Sequence, residues 1–230
     1  MPARRPQYNS FVFTRARATL RTCSRPVRFA WHACRLANAT FTFEGRTYQY
    51  LLHPYNETWG NERAVEVPVV LDAVRRSSGR VLEVGNVLSH YVSVSHPVVD
   101  KYERAPGVLN QDIESFHGGP FDLIVTISTL EHVGWNRREG SVPERLSAVL
   151  DHLRVLLAPG GTLLATVPLG YNPWLDEQIR NDTLPWTARF LRRTGGVRWE
   201  QCTREEIAGA RYGSPYPRAN ALAVTTLQAG

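Results

Sequence analysis

The feature that most constrains this chain is a strand–helix–strand block just past its midpoint. Phe121–Ile127 is apolar nearly throughout instead of alternating, as expected of a strand buried on both faces of a parallel sheet. Leu146, Val149, Leu150, Leu153, Leu156 and Leu157 then fall on one face of a 3.6-residue period. Ser141-Val-Pro-Glu144 ahead of them has the form of a capping box with proline in the first turn. Ala158-Pro-Gly-Gly161 stops the helix, and Gly161–Val167 is strand-like again. This is a crossover unit, and repeated units of this kind make a doubly wound α/β sheet.

The rest of the chain supplies the repeats. Arg80–Val84, Pro97–Asp100, Gly107–Asn110 and Ala221–Leu227 are further short strand-like runs. Glu62–Arg76 carries a helical stripe at 67, 70, 71 and 74, with Pro68 either opening or kinking the helix. Phe41–Tyr50 alternates around Glu44-Gly45 and reads as a small hairpin. With 43% hydrophobic and 21% charged residues in 230, the chain has material for a sizeable core and is not a disordered one. No run approaches the ~20 apolar residues of a membrane-spanning helix. Cys23, Cys34 and Cys202 form no CxxC pair, which disfavours a disulfide framework or zinc site and favours a reducing compartment. No cluster has metal-ligand spacing, and no metal is expected. These features describe a soluble, cytoplasmic protein.

The net charge of +6 is unevenly placed. Residues 1–40 hold eight arginines and no acid, which leaves 19 of the 27 cations against all 21 anions in the rest. Of those 27 cations only Lys101 is a lysine. The expected organisation is a basic N-terminal helical arm or cap with the small hairpin over 1–60, and an α/β domain over 61–230. Three readings of the arm stand side by side. It packs as cap helices on the domain, rests on an anionic membrane surface, or contacts nucleic acid. The near-neutral body, with no RNA-binding module visible, makes nucleic acid the weaker of these.

In doubly wound sheets ligands bind outside the carboxyl ends of the central strands. The residues there are Glu83–His90, Asp100, Asp112 and Ser128–Val133. Gly85 permits close backbone approach to a ligand. Asp100 follows Glu83 near the spacing at which a carboxylate takes a ribose diol. Asp112 is placed to accept a bond from an exocyclic amine. A dinucleotide needs a glycine-rich turn for its pyrophosphate, but Gly85 is followed by Asn86, Val87, Leu88, Ser89 and His90. No lysine-bearing phosphate loop is present either. S-adenosylmethionine (SAM) carries no phosphate and suits the loop better.

These residues resemble the class I SAM-dependent methyltransferases, in particular the type-11-like group, over about Glu62–Leu227. The resemblance rests on Val81–Gly85, Val98–Asp100, Asn110–Ile113, Phe121–Val133 and Leu156–Leu164, five elements in order. It implies a Rossmann-like seven-stranded sheet with the last strand antiparallel near Ala221–Leu227, and methyl transfer from SAM to O or N of a small-molecule or glycan acceptor. Glu83, Gly85, Asn86, Asp100, Asp112, Ile113 and Thr129 would hold the cofactor. Asn61 and Arg63 would meet its carboxylate, since guanidinium pairs bidentately with carboxylate. His132 is the candidate base, with His90 and Tyr91 behind it. Tyr171, Asn172 and Trp174 would form the acceptor wall. The chain departs from the family at Val87, which stands where a second glycine is usual. The dozen residues between the first two strands leave room for only a very short helix. Two other readings stay open: an RNA methyltransferase using the arm, and a SAM-binding homologue without catalysis.

Overall fold

The computed structural model describes residues 27, 29–136 and 140–230. The arginine-rich readings of the arm fall mostly on residues 1–26, outside the described residues. The chain divides into two compact units, Met1–Ala39 and Thr40–Gly230, and the hairpin lies in the second. In the first unit, residues 29–36 are helical (α1).

The second unit opens with β1 (Thr40–Phe43) and β2 (Arg46–Gln49), paired antiparallel from Thr40↔Gln49 to Phe43↔Arg46. Glu44 and Gly45 both take positive φ, 47° and 72°, the conformation of a two-residue hairpin turn. Helix α2 (Arg63–Arg76) follows, and Pro68 sits inside it. The strands β3 (Val81–Val84), β4 (Val98–Asp100), β5 (Val108–Asn110), β6 (Phe121–Ile127) and β9 (Leu157–Pro168) are mutually parallel. Helix α3 (Pro143–Leu156) makes the crossover from β6 to β9. Helix α4 (Pro173–Asn181) leads to β10 (Thr187–Gly195), which turns back into β11 (Arg198–Cys202). The last strand, β12 (Ala221–Gln228), inserts antiparallel between β9 and β10. A two-residue ladder, β7 (Trp135–Asn136) with β8 (Gly140–Ser141), precedes α3.

The resulting eight-stranded order is β11-β10-β12-β9-β6-β3-β4-β5. The reversed strand lies where the resemblance implied, and the hairpin partner β11 adds an eighth strand at the edge. Leu82, Val84, Ile124, Leu163 and Ala165 pack with Leu146, Val149, Leu150 and Leu153 of α3 and with Leu175 and Ile179 of α4 in one core. On the other side, α2 lies against β6 and the hairpin, and the hairpin also meets β11. The Tyr50 hydroxyl bonds to the Trp199 amide at 2.9 Å, and the Glu44 amide to Gln201 Oε1 at 2.8 Å.

One local expectation is corrected and one holds. The N-cap of α3 is Val142, without a side-chain cap bond, because Ser141 is drawn into the β8 ladder. The short connection after β3 holds only a single 3-10 turn, Leu88–His90. Val87 sits at φ −117°, which any residue adopts, so a second glycine is not required. Among the described residues no helix is long and apolar enough to cross a membrane.

Candidate active site

Chain order reverses at β3, whose neighbours are β4 on one side and β6 on the other, so a crevice opens at their carboxyl ends. It is a cleft of about 530 Å³. Gly85, Asn86, Asp100, Asp112, Ile113, Thr129 and His132 all line it. Glu83, Asn61, Arg63, Tyr171, Asn172 and Trp174 are not among its lining residues.

The turn after β3 is built from inside. Glu83 is fully buried, and its Oε1 accepts the Val87 and Leu88 amides at 2.8 Å each, while Oε2 meets His96 Nε2 at 3.1 Å. Its carboxylate therefore shapes the loop rather than lining the cleft. Gly85 takes φ +86°, and a Cβ there would lie 2.3 Å from Thr129 Oγ1. Glycine is needed on both counts, strain and space. Asn86 donates its amide to Asp100 Oδ2 at 3.0 Å and accepts from Ser89 Oγ. Its Nδ2 is buried with no partner among the described residues.

Asp100 accepts three backbone amides, which leaves acceptor capacity on its carboxylate. Its other oxygen, Oδ1, accepts from the Tyr102 amide at 2.8 Å and the Glu103 amide at 2.7 Å. Burial would raise the carboxyl, but the amides of Glu103, Asn86 and Tyr102 outweigh it and hold Asp100 below the usual carboxylate value. Asp112 is paired by cations. Lys101 Nζ stands 2.6 Å and Arg145 Nη2 3.3 Å from its Oδ2, and the Glu114 amide donates to Oδ1. Against the opposing effect of burial, Lys101 and the Glu114 amide lower its pKa.

Around His132 the pattern is different. The His132 ring meets Tyr171 edge-on at 4.8 Å, and Tyr171 meets Tyr212 at 5.3 Å. Desolvation, with Arg63 nearby, lowers the His132 pKa below the ordinary histidine value, which favours the neutral ring. Asn172 is buried; its Nδ2 donates to the Glu131 carbonyl and its Oδ1 caps α4 by accepting the Leu175 amide. Trp174 packs on the hydrophobic core. Asn61 accepts the Arg63 amide at 3.0 Å and donates to the Asn56 carbonyl at 2.7 Å.

Two buried acids were missed in the sequence. Glu131 is 1% exposed, its Oε1 lies 3.7 Å from His132 Nε2, and its Oε2 has no partner among the described residues. Burial pushes its carboxyl up to about 8. Glu66 is fully buried on α2, bound to Arg63, Ser128 and Thr166. A signal for it existed: Glu66 falls between Val65 and Val67 and four residues before Val70, among the apolar positions of its helix.

The five parallel strands with a reversed strand inserted at the far side settle the architecture. The fold is that of the class I methyltransferases. No protein-family model and no curated protein matches the chain by sequence. Solved structures resemble it at low identity. One is the N-methyltransferase NodS of Bradyrhizobium japonicum WM9 in complex with S-adenosylhomocysteine (15% identity, TM-score 0.47, covering 73% of this chain and 87% of that one). Another is a Burkholderia thailandensis 1,6-didemethyltoxoflavin-N1-methyltransferase (14%, TM-score 0.43, 100% and 94%). A third is the glycopeptide N-methyltransferase MtfA (14%, TM-score 0.36, 69% and 84%).

Proposed function

We propose that the protein is a cytoplasmic SAM-dependent methyltransferase acting on O or N of a small-molecule or glycan acceptor. The observation that carries this reading is the convergence of Gly85, Asn86, Asp100, Asp112, Ile113 and Thr129 on one cleft at the switch point of the sheet. The residues suit the cofactor. Asn86 offers a buried, unpartnered donor, and Gly85 keeps the floor clear where a side chain would intrude. Asp100 is a fixed anion for a ribose diol, Asp112 and Ile113 flank the adenine position, and Arg63 supplies a cation near His132. The cleft cations Lys101 and Arg145 are engaged by Asp112 and Glu114, so no phosphate cradle forms among these groups.

Bound SAM supplies an electrophilic methyl group, and the chain's share is alignment, exclusion of water and proton management. His132, neutral and half-exposed on the cleft, accepts the acceptor's proton where one must leave. Tyr171 holds the ring edge-on and forms part of the acceptor wall with Tyr212. Asn172 and Trp174 support that wall from below, through the α4 cap and the core.

The test is incubation with SAM and a panel of amines, phenols, sugars and RNA, read as a 14-dalton mass gain. Methylation of a small molecule or glycan supports the reading; transfer to RNA alone would replace it. His132→Ala should then lower kcat on the order of a hundredfold. The acid limb of the wild-type pH profile should fall below the ordinary histidine value, because His132 is depressed.

A further inference from the structure

Residues 211–220, which lead into β12, are folded around one buried side chain. Asn220 is 7% exposed, and its Nδ2 donates to the carbonyls of Arg211, Tyr216 and Arg218 at 3.0, 2.9 and 3.1 Å. Its Oδ1 accepts the Tyr216 amide at 3.0 Å. Three further bonds close the loop. The Gly213 amide donates to the Arg218 carbonyl at 2.7 Å, Arg193 Nη1 to the Pro217 carbonyl at 2.9 Å, and the Ala219 amide to buried Glu62 at 3.1 Å. Arg218 holds φ 72°, a left-handed conformation that a residue other than glycine keeps only where its surroundings impose it. A loop fixed in this way has its side chains ordered before any ligand arrives.

The same loop is packed against the His132 end of the site. A Cβ on Gly170 would lie 2.3 Å from the Tyr212 amide nitrogen and 2.9 Å from Arg211 Cα, so glycine lets the loop approach the end of β9. Tyr212 then meets Tyr171 edge-on at 5.3 Å, and Tyr171 meets the His132 ring at 4.8 Å. Arg211 precedes Tyr212 in the chain, and the Arg218 side chain lies beside the Tyr212 hydroxyl. Because both carbonyls bond to one Asn220 nitrogen, the two arginines rise from neighbouring points of the backbone. Arg180, Arg189, Arg192 and Arg204 each face a carboxylate. Arg211 and Arg218 are exposed and make no ion pair among the described residues; Glu62, bonded to the Ala219 amide, pairs with neither. Two like charges so placed repel, and an anion held between them removes that cost. Guanidinium forks also match oxyanions bidentately.

We propose that Arg211 and Arg218 form an oxyanion-recognition site for the methyl acceptor, which is then a small molecule bearing a carboxylate or phosphate in addition to the atom that is methylated. The inference rests on the methyltransferase reading above. It adds the class of acceptor: acidic, not neutral or cationic. Tyr212 stands between the arginines and the Tyr171–His132 pair, and so sets the spacing from the anion to the reacting atom.

The test is ligand-detected NMR titration of the full chain saturated with S-adenosylhomocysteine, using benzoate, phenyl phosphate and neutral benzamide. Wild type should bind one of the two anions at least about tenfold tighter than benzamide, and the preferred one names the oxyanion. Arg211→Gln and Arg218→Gln, which alter exposed side chains, should each weaken that anion several-fold. The double variant should bring it to the level of benzamide. Arg198→Gln removes another exposed arginine without an ion pair, on β11, and should keep the preference. Benzamide bound as tightly as both anions, or a preference that survives in the double variant, would overturn the proposal. An equal loss in Arg198→Gln would also overturn it, since that marks a general positive field and not a site. No binding of either anion by a chain that does bind S-adenosylhomocysteine would overturn this proposal alone. A chain that does not bind S-adenosylhomocysteine would refute the cofactor reading, and this proposal with it.

Discussion

At the β4–β5 end of the cleft, Asp100 and Asp112 are held below the usual carboxylate value, whereas around His132 burial pushes Glu131 up to about 8 and Asp176 to about 6. All four feel desolvation, but Glu131 and Asp176 are buried whereas Asp100 and Asp112 are only partly so, and the donors differ as well. Asp100 accepts three backbone amides, and Asp112 accepts one amide and faces two cations. Glu131 Oε2 and Asp176 Oδ1 have no partner among the described residues, and the Gly170 amide on Asp176 Oδ2 does not offset that group's burial. A carboxylate with prepaid donors is a fixed anion, suited to orienting a ligand. One without them takes up or gives up its proton near neutrality, which suits a site where protons move.

The strongest way to break this comparison is at the turn that organises the fixed end. Gly85→Ala places a methyl against Thr129 at positive φ, and should weaken S-adenosylhomocysteine binding by at least about 3 kcal/mol in a calorimetric titration. Retained affinity would mean the cleft floor does not contact the ligand. Next in size is Glu131→Gln. A folded pKa raised from 4.5 to about 8 means stability present below pH 4.5 is lost progressively as pH rises to about 8. The variant should therefore be more stable than wild type by about 2–3 kcal/mol at pH 8, with the gap closing toward pH 5, in denaturant melts. A gap independent of pH would deny that Glu131 titrates.

Asp100→Ala sharpens the other side. It should weaken S-adenosylhomocysteine by about 2 kcal/mol through loss of charge-assisted bonds. It also releases the amides of Asn86, Tyr102 and Glu103, so some loss of thermal stability accompanies it. The sign with pH is opposite to that of Glu131: the stabilisation from Asp100 is present above its unfolded value and lost as pH falls through the depressed folded one. Lys101→Met should have the smallest effect. Its pair with Asp112 is partly exposed, and the change in affinity should stay below about 1 kcal/mol. A larger loss would assign Lys101 to the ligand.

The parallel half of the fold was legible because its signals are local. Phe121–Ile127 is apolar on both faces, α3 repeats every 3.6 residues, Gly85 follows β3 directly and Asp100 ends β4. The outer pair β10–β11 was not read from the sequence. β10 places Arg189, Arg192 and Arg193 along a strand, and its apolar core positions are Ala188, Phe190 and Leu191, too short a run to stand out. The ligand-facing residues of the loops were read by position, but their bonding was not. Nothing in the sequence says that Lys101 reaches Asp112, or that Glu83 spends one oxygen on two amides. Glu66 sits among the apolar positions of its helix, but the Ser128 and Thr166 hydroxyls that bind it lie 62 and 100 residues away and cannot be read from the sequence.

The central claim is that the cleft at the β3–β6 switch point holds SAM. Its most direct measurement is calorimetric titration of the full chain with S-adenosylhomocysteine, NAD and ATP in parallel, repeated on Gly85→Ala. The account predicts saturable binding of S-adenosylhomocysteine alone, abolished by the substitution. Binding of NAD or ATP without S-adenosylhomocysteine, or binding that survives Gly85→Ala unchanged, would contradict it.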